Sequence, residues 1–256
     1  MAAPLKTFTA DLLTVKVFPG IRDMAEDAAR EANKIFREAI QAKGSAAAVL
    51  ATGNSQLEFL KALVKLDGVD WSRVTLFHLD EYLGISDNHS ASFRKYMRER
   101  VQAVIKPRVF NYLEGDAMQP LDECDRYAKL LQAQPIDLCC LGIGENGHLA
   151  FNDPPVANFK DPRPVKIVKL DEACRAQQAG EGHFPNIDAV PQYALTMTIP
   201  AICAAKNMLC IVPEKRKAQA VKDSLKGNIS TACPGSFLRQ QAHCTLFLDA
   251  DAASLI

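Results

Sequence analysis

The sequence predicts an α/β protein, a three-layer α/β/α Rossmann-like sandwich with a mostly parallel central sheet. Two observations lead there. Short apolar runs recur along the chain, each of a length suited to a buried strand. Between them lie amphipathic stretches of helical period. Strands alternating with helices imply βαβ units, hence parallel pairing and a sheet covered on both faces.

In chain order, residues 12–18 (LLTVKVF) are the first strand candidate. Residues 22–43 form a long amphipathic helix that Gly44 ends, glycine being suited to the left-handed turn after a helix. Residues 46–51 (AAAVLA) read as a buried strand, followed by Thr52-Gly53-Asn54-Ser55 and a helix over 56–65. A strand over 74–79 precedes a polar loop, 80–90, and a helix over 91–105. A helix over 121–133 leads to a strand over 136–141. Strands are expected over 165–170, 194–199, 208–212 and 245–248, with a helix over 214–225 before the last. No internal repeat, low-complexity segment or long linker interrupts this order, so 1–256 reads as one domain.

Thirty Lys+Arg balance thirty Asp+Glu, which argues against a nucleic-acid or membrane-surface role, since those need a cationic excess. The eight cysteines form no CxxC pair, and several sit inside apolar segments (LCCLG, MLCIV). They read as free core thiols, not as a disulfide or zinc framework. The N-terminal MAAPLKTFTADLL lacks the charged-then-apolar order of a signal peptide, and no apolar run approaches the roughly 20 residues of a membrane span. A soluble, reducing, cytoplasmic setting is the expectation; composition leaves a homo-oligomer open.

Ligands of open parallel sheets bind beyond the carboxyl ends of the strands. Four polar loops follow apolar strands there: TGNS at 52–55, DEYLGISDNHS at 80–90, GIGENGHLAFND at 142–153 and PEKRK at 213–217. A strand-to-helix turn such as Thr52-Gly53-Asn54-Ser55 can offer backbone N–H groups to an anion, or only an N-cap at Ser55. It lacks the GK[ST] of a nucleotide P-loop. Residues 142–147 match GxGxxG, but they lie past mid-chain and lead into Pro154-Pro155, a poor start for a long helix. That context disfavours dinucleotide binding. Adjacent Asp80 and Glu81 at a strand end point in different directions, so one can face a cleft while the other makes structural bonds. His148 with Asn146 and Asp153 could shuttle a proton, a nearby carboxylate orienting the ring. Lys215, Arg216 and Lys217 open a helix, against the usual preference of cations for helix C-termini; this suits an anionic partner or a solvated charge run.

HLDEYLGISDNHSASF and LGIGENGHLAFNDP resemble the two signature segments of the glucosamine-6-phosphate deaminase/isomerase family. ATGNS and the helix bearing Lys217-Ala218 match the family's phosphate-binding segments, and the resemblance covers nearly the whole chain. The related 6-phosphogluconolactonases typically carry Asp-Glu-Arg where this chain has Asp80-Glu81-Tyr82. After Gly-His they typically carry Thr-Ala-Ser-Leu-Phe-Pro, where this chain has Leu149-Ala150-Phe151-Asn152. The resemblance implies ring opening of a phosphosugar, aldose–ketose isomerisation and release of ammonia, within amino-sugar and N-acetylglucosamine catabolism. It implies Asp80 as the base for the C2 proton, His148 in ring opening, and Asn146 and Asp153 assisting that histidine. Thr52, Gly53, Asn54, Ser55, Glu81, Gly147 and Lys217 would bind substrate and phosphate. No metal or organic cofactor is expected, because a carbonyl beside an amine makes the C2 proton acidic enough to remove.

Two departures stand out. The family usually has Glu where this chain has Asp153, a carboxylate one methylene shorter. The family's Thr-Arg-x-Ala-Asn-Ser-Arg-Phe-like segment is replaced by DEACRAQQAGEGHF over 171–184. There Arg175 matches the first arginine only, and Gln177, Gln178, Glu181 and His183 become candidates to line the site. Alternatives are therefore another phosphosugar as substrate, lactone hydrolysis, or a non-catalytic sugar-phosphate-binding regulator.

Overall fold

A computed structural model describes residues 3–182 and 184–256; His183 lies outside them. The strands are β1 (Lys6–Ala10), β2 (Leu13–Phe18), β3 (Ala46–Leu50), β4 (Val74–His78), β5 (Asp80–Tyr82), β6 (Val109–Phe110), β7 (Leu138–Leu141), β8 (Val165–Lys169), β9 (Tyr193–Met197), β10 (Met208–Val212) and β11 (Cys244–Asp249). Eight of them form one sheet in the order β1-β2-β11-β10-β7-β3-β4-β6. Every pair in it is parallel except the β1–β2 hairpin, whose partner alignment runs from Lys6↔Val17 to Ala10↔Leu13.

Helices cover both faces, as a parallel sheet requires. On one face the helix Ile21–Lys43 lays Met24, Ala25, Ala28, Ala29, Ala32, Ile35 and Phe36 against the sheet. Phe36 is fully buried, which is worth about 2–3 kcal/mol. Gly44 ends the helix in the left-handed region (φ 79°), where its N–H reaches Ile40 O at 2.8 Å. On the other face, helices Pro120–Gln132 and Ala218–Lys226 bury Tyr127, Leu131, Val221 and Leu225 against the sheet.

The strands expected over 165–170 and 194–199 do not join this sheet. β8 and β9 pair with β5 in a separate three-stranded antiparallel sheet, β5-β9-β8. The segment expected as a loop after residue 79 therefore begins with a strand. The helix expected over 91–105 changes period: Phe93–Met97 is α-helical, Arg98–Gln102 adopts a π turn, and Ala103–Ile105 returns to α. β1 and β6 were not legible as strands, and Glu172–Gly180 is a helix. All eight cysteines are free thiols, six of them buried. No helix among the described residues is long and apolar enough to cross a membrane.

At the amino-terminal edge of the sheet, buried Asp137 ties three segments together. Its carboxylate accepts from Ala47 N–H (2.9 Å) and lies 2.8 Å from Lys43 Nζ and 3.1 Å from Lys206 Nζ. This cluster is at the opposite end of the strands from the cleft described below. Asp137→Asn should therefore lower the unfolding free energy by about 2 kcal/mol, measured by urea titration, because a buried charge-assisted network loses its anion. Turnover at saturating substrate should not change.

Candidate active site

β3, β4, β7 and β10 are neighbours in the sheet, so the loops at their carboxyl ends meet. Thr52, Gly53, Ser55, Asp80, Gly144, His148 and Lys217 line one cleft with Leu79, Ile143, Phe151, Gln177, Gln178 and Glu181. All four loops singled out in the sequence contribute. Of the residues expected to bind ligand, three do not line it: Asn54 turns its amide toward Glu181 O (3.4 Å), and Glu81 and Gly147 lie behind the cleft wall. Asn146 and Asp153 also stand back from the cleft, in contact with His148.

The turn 52–55 is held by Gln56, whose amide donates to Ile211 O (3.2 Å) and to Ser55 Oγ (3.1 Å), linking it to β10. Gly53 has φ 96°, a conformation that side chains other than glycine rarely adopt. Lys217 reaches the same end of the cleft from the turn after β10 and is only 3% exposed. Burial, and after it the neighbouring Arg216 charge, pull its pKa down to about 8, against an opposing pull from Glu181, Glu145 and Glu214.

Asp80 and Glu81 fulfil opposite roles, as their alternation across a strand requires. Glu81 is fully buried and accepts from Tyr82 N–H (3.0 Å), Phe93 N–H (3.1 Å), Ser92 Oγ–H (2.8 Å) and Arg94 N–H (2.9 Å). It braces the start of the helix Phe93–Met97 and is not among the residues that line the cleft. Asp80 faces the cleft, and among the described residues no donor pairs with its carboxylate. Burial, and secondarily the Glu81 charge, push its carboxyl well above the ordinary range.

His78 is a positioning residue that sequence reading missed. Leu113 N–H donates to its Nε2 (2.9 Å), which leaves the proton on Nδ1 facing Asp80 O at 2.9 Å. Burial lowers its pKa to about 3, so it stays neutral and keeps this tautomer. Its apolar neighbours in β4 made it read only as a strand residue.

The loop 142–153 builds a second constellation. His148 Nδ1 lies 3.0 Å from Asp153 Oδ1, both side chains being buried. The shorter carboxylate at 153 thus reaches the ring. Asn146 accepts from His148 N–H (3.0 Å) and donates to Asp153 Oδ1 (3.2 Å) and Asp171 Oδ2 (3.1 Å). Asp171 N–H donates to Asp153 Oδ2 (3.2 Å). Burial alone would raise the Asp153 pKa, but the hydrogen bond and charge of His148, with the Asn146 and Asp171 donors, hold it below the usual carboxylate range. With Nδ1 turned to Asp153 at ion-pair distance, Nε2 is the nitrogen left to exchange a proton with a ligand.

The glycines of this loop are spatial necessities. A Cβ on Gly144 would overlap His148 Cε1 and Nε2. Gly147 has φ 84°, and a Cβ there would lie 2.7 Å from Cys233 Sγ. The GxGxxG spacing therefore serves a tight turn under an imidazole.

His148, Asp153 and Cys174 bring metal-ligand atom types within 4.8 Å of one another. They are already committed: Asp153 to His148, Asn146 and Asp171 N–H, while burial and then the Asp153 charge push the Cys174 thiol well up, away from the thiolate a metal needs.

Sequence reading did not place a helix over Glu172–Gly180, yet it shapes the cleft. Asp171 caps it, accepting from Cys174 N–H at 2.6 Å. Gln178 accepts from Tyr82 Oη–H (2.5 Å), and Gln177 accepts from Glu145 N–H (2.9 Å). The N-cap aspartate and the buried pair Cys174 and Gln178, four residues apart, were the available signal.

The model of the family described as glucosamine-6-phosphate isomerases/6-phosphogluconolactonase matches residues 20–247. A glucosamine-6-phosphate deaminase of Exiguobacterium sibiricum is 37% identical over 209 residues, 81% of this chain and 80% of that protein. One of Bacillus thuringiensis is 36% identical over 230 residues, 90% of this chain and 86% of its own. A solved monomeric glucosamine-6-phosphate deaminase superposes with TM-score 0.86 at 33% identity, covering 94% of this chain and 99% of the other. A 6-phosphogluconolactonase of Shewanella baltica superposes with TM-score 0.77 at 19% identity over 97% of this chain and all of its own, a likeness of fold.

Gly144→Ala tests the packing of the imidazole. The added methyl should displace His148 and lower kcat about 100-fold, since misplacement by about 1 Å carries that penalty. Thermal melting should move little, because the loop edge can adjust.

Proposed function

The chain belongs to the glucosamine-6-phosphate isomerase/6-phosphogluconolactonase family, and we propose that it is a glucosamine-6-phosphate deaminase, giving fructose 6-phosphate and ammonia. The observation that carries this reading is the pairing of environments in one cleft. Asp80 is buried without a donor among the described residues, opposite a histidine fixed by Asp153, with an anion-suited turn and Lys217 alongside. A carboxyl raised by burial is a suitable base for a carbon acid near neutral pH.

In this reading the turn 52–55 and Lys217 take the phosphate. His148, through Nε2, moves the proton between ring oxygen and anomeric hydroxyl that opens the sugar. Asp80 then removes the C2 proton and returns it to C1. The C2–H electrons form the C1=C2 bond of an enolamine while the aldehyde oxygen takes up the proton that the substrate ammonium gives up; protonation at C1 then gives a C2 iminium, water adds at C2, and ammonia departs. Asn146 and Asp153 keep the imidazole oriented. Sugar phosphates are charged metabolites retained inside cells, so a cytoplasmic role in consuming amino-sugar phosphates is part of the proposal.

Tyr82 supports the deaminase branch over the lactonase one. Its ring is fully buried among Phe93, Phe151 and Phe184, with centroids 5.0, 5.2 and 5.2 Å away. A lactonase-like arginine at that place would have to thread a guanidinium through this aromatic cluster, which the Tyr82 ring fills while its hydroxyl bonds Gln178. A different amino-sugar phosphate is the second reading, because Gln177, Gln178 and Glu181 stand where the family's second phosphate arginine is expected. Ammonia release across a panel of amino-sugar 6-phosphates, with 6-phosphogluconolactone hydrolysis as a counter-screen, separates these. Turnover of the lactone and no ammonia from any sugar would overturn the deaminase reading.

Asp80→Asn keeps the shape and removes the base. It should lower kcat about a thousand-fold while leaving sugar-phosphate affinity close to wild type; full turnover would sink the assignment.

The pH profile offers a separate check. Activity should rise with pH as Asp80 ionises above its raised pKa. KM should then rise above about pH 8, where Lys217 loses its proton in the free protein. Lys217→Arg, which keeps its charge, should abolish the alkaline rise in KM but not the acid limb.

A further inference from the structure

The anion end of the cleft already contains an anion. Glu181 lines it beside Thr52, Gly53, Ser55 and Lys217, and its side chain is only 6% exposed. Its Oε2 lies 4.0 Å from where a Cβ on Gly53 would be. Its Oε1 lies 2.9 Å from Arg216 Nη1 and accepts from Gln177 Nε2 at 2.9 Å. Arg216 is next to Lys217 and is also bound by Glu145 (3.0 Å) and Glu214 (2.5 Å). Among the described residues, two cations therefore meet three carboxylates at this end of the cleft; Lys217 and Glu181 line it, and Arg216, Glu145 and Glu214 adjoin that lining through the Arg216 ion pairs.

A guanidinium has donors for more than one oxyanion, and a phosphate offers better bidentate geometry and more charge than one carboxylate. Gly180 and Gly182 flank Glu181, and a Cβ at either would meet nothing within 4 Å, so open space lies beside the Glu181 turn. We propose that Glu181 is an internal competitor for the phosphate: the incoming group displaces it from Arg216, and Arg216 then becomes a second cationic phosphate ligand beside Lys217. The proposal rests on the phosphosugar reading of the cleft. It assigns a role to a residue standing in a segment where the family's second arginine has no counterpart, and it supplies the missing cation from the neighbouring turn.

The test is calorimetric titration of the intact protein with inorganic phosphate and with an amino-sugar alditol 6-phosphate, at fixed ionic strength. Glu181→Gln keeps the shape and removes the competing charge, so both ligands should bind about five- to ten-fold more tightly. Arg216→Gln should weaken both about ten-fold. Glu145→Gln, which removes a more exposed partner of Arg216, should give a smaller gain of the same sign as Glu181→Gln and needs no rearrangement of the buried segment. Weaker binding by Glu181→Gln would mean that Glu181 holds the sugar and would overturn the proposal. Unchanged binding by Arg216→Gln would leave Arg216 as a purely internal ion-pair partner and would overturn it equally. No binding of either ligand to the wild-type protein would instead overturn the phosphosugar reading beneath it.

Discussion

Taking a carboxylate out of water costs several kcal/mol unless hydrogen-bond donors replace the water. The cleft is organised by how that cost is met at three carboxylates within one short stretch of space. Glu81 has four donors and serves the packing of the helix that follows it. Asp153 has a histidine, an amide and a backbone N–H, enough to keep it ionised beside the ring it orients. Asp80 has none among the described residues, and so retains the greatest affinity for a proton. Identical functional groups are pushed apart in pKa by the donors around them, which is how one site can hold a base, a ring-orienting anion and a structural brace.

Much of this follows from chain topology. β4 ends at His78 in the large sheet and β5 begins at Asp80 in the small one. The proposed base thus sits at the crossing between two hydrogen-bonded ladders, with Asp80 paired to Thr196 on one side and His78 paired to Leu50 on the other. His78 closes the corner by bonding the Asp80 carbonyl, and its neutrality keeps that corner independent of pH over the working range.

The parallel strands were legible because they are buried on both faces and read as continuous apolar runs: AAAVL, VTLFH, LCCL and MLCIV. The small sheet was not, because β5 is three residues long and its letters, Asp-Glu-Tyr, are those of a polar loop. β1 was missed because only Phe8 and Ala10 of its five residues turn to the core, too short an alternation to stand out. In the candidate site, the order Asn146, His148, Asp153 was visible in the sequence, since a single loop carries all three. Gln177, Gln178 and Glu181, expected from the divergent segment to line the site, do line the cleft; what no local pattern could reveal was their partners, such as Glu181 on Arg216, or Asp171 joining Asn146 to a helix cap. Those contacts depend on how two sheets are placed in space. The likeness to glucosamine-6-phosphate deaminases pointed to the 52–55 turn and Lys217 directly, and to the stretch after residue 170 only as a departure from the family pattern.

That divergent stretch leaves β8 after Lys169 and returns at Tyr193, and these two residues are paired across the small sheet. Its ends are therefore held side by side by a ladder that runs on to Val165↔Met197, whatever lies between them. Lengthening such an excursion adds little closure entropy. The helix Glu172–Gly180 and the turn carrying Glu181 behave architecturally as an exchangeable cassette plugged into a fixed socket. Grafting the corresponding stretch from a relative would alter the wall of the cleft while leaving the strand ends in place, as long as Asp171, which bonds Asn146 and Asp153, is kept. Variation in length and composition at this one place is thus the least disruptive route open to the fold for changing its clientele.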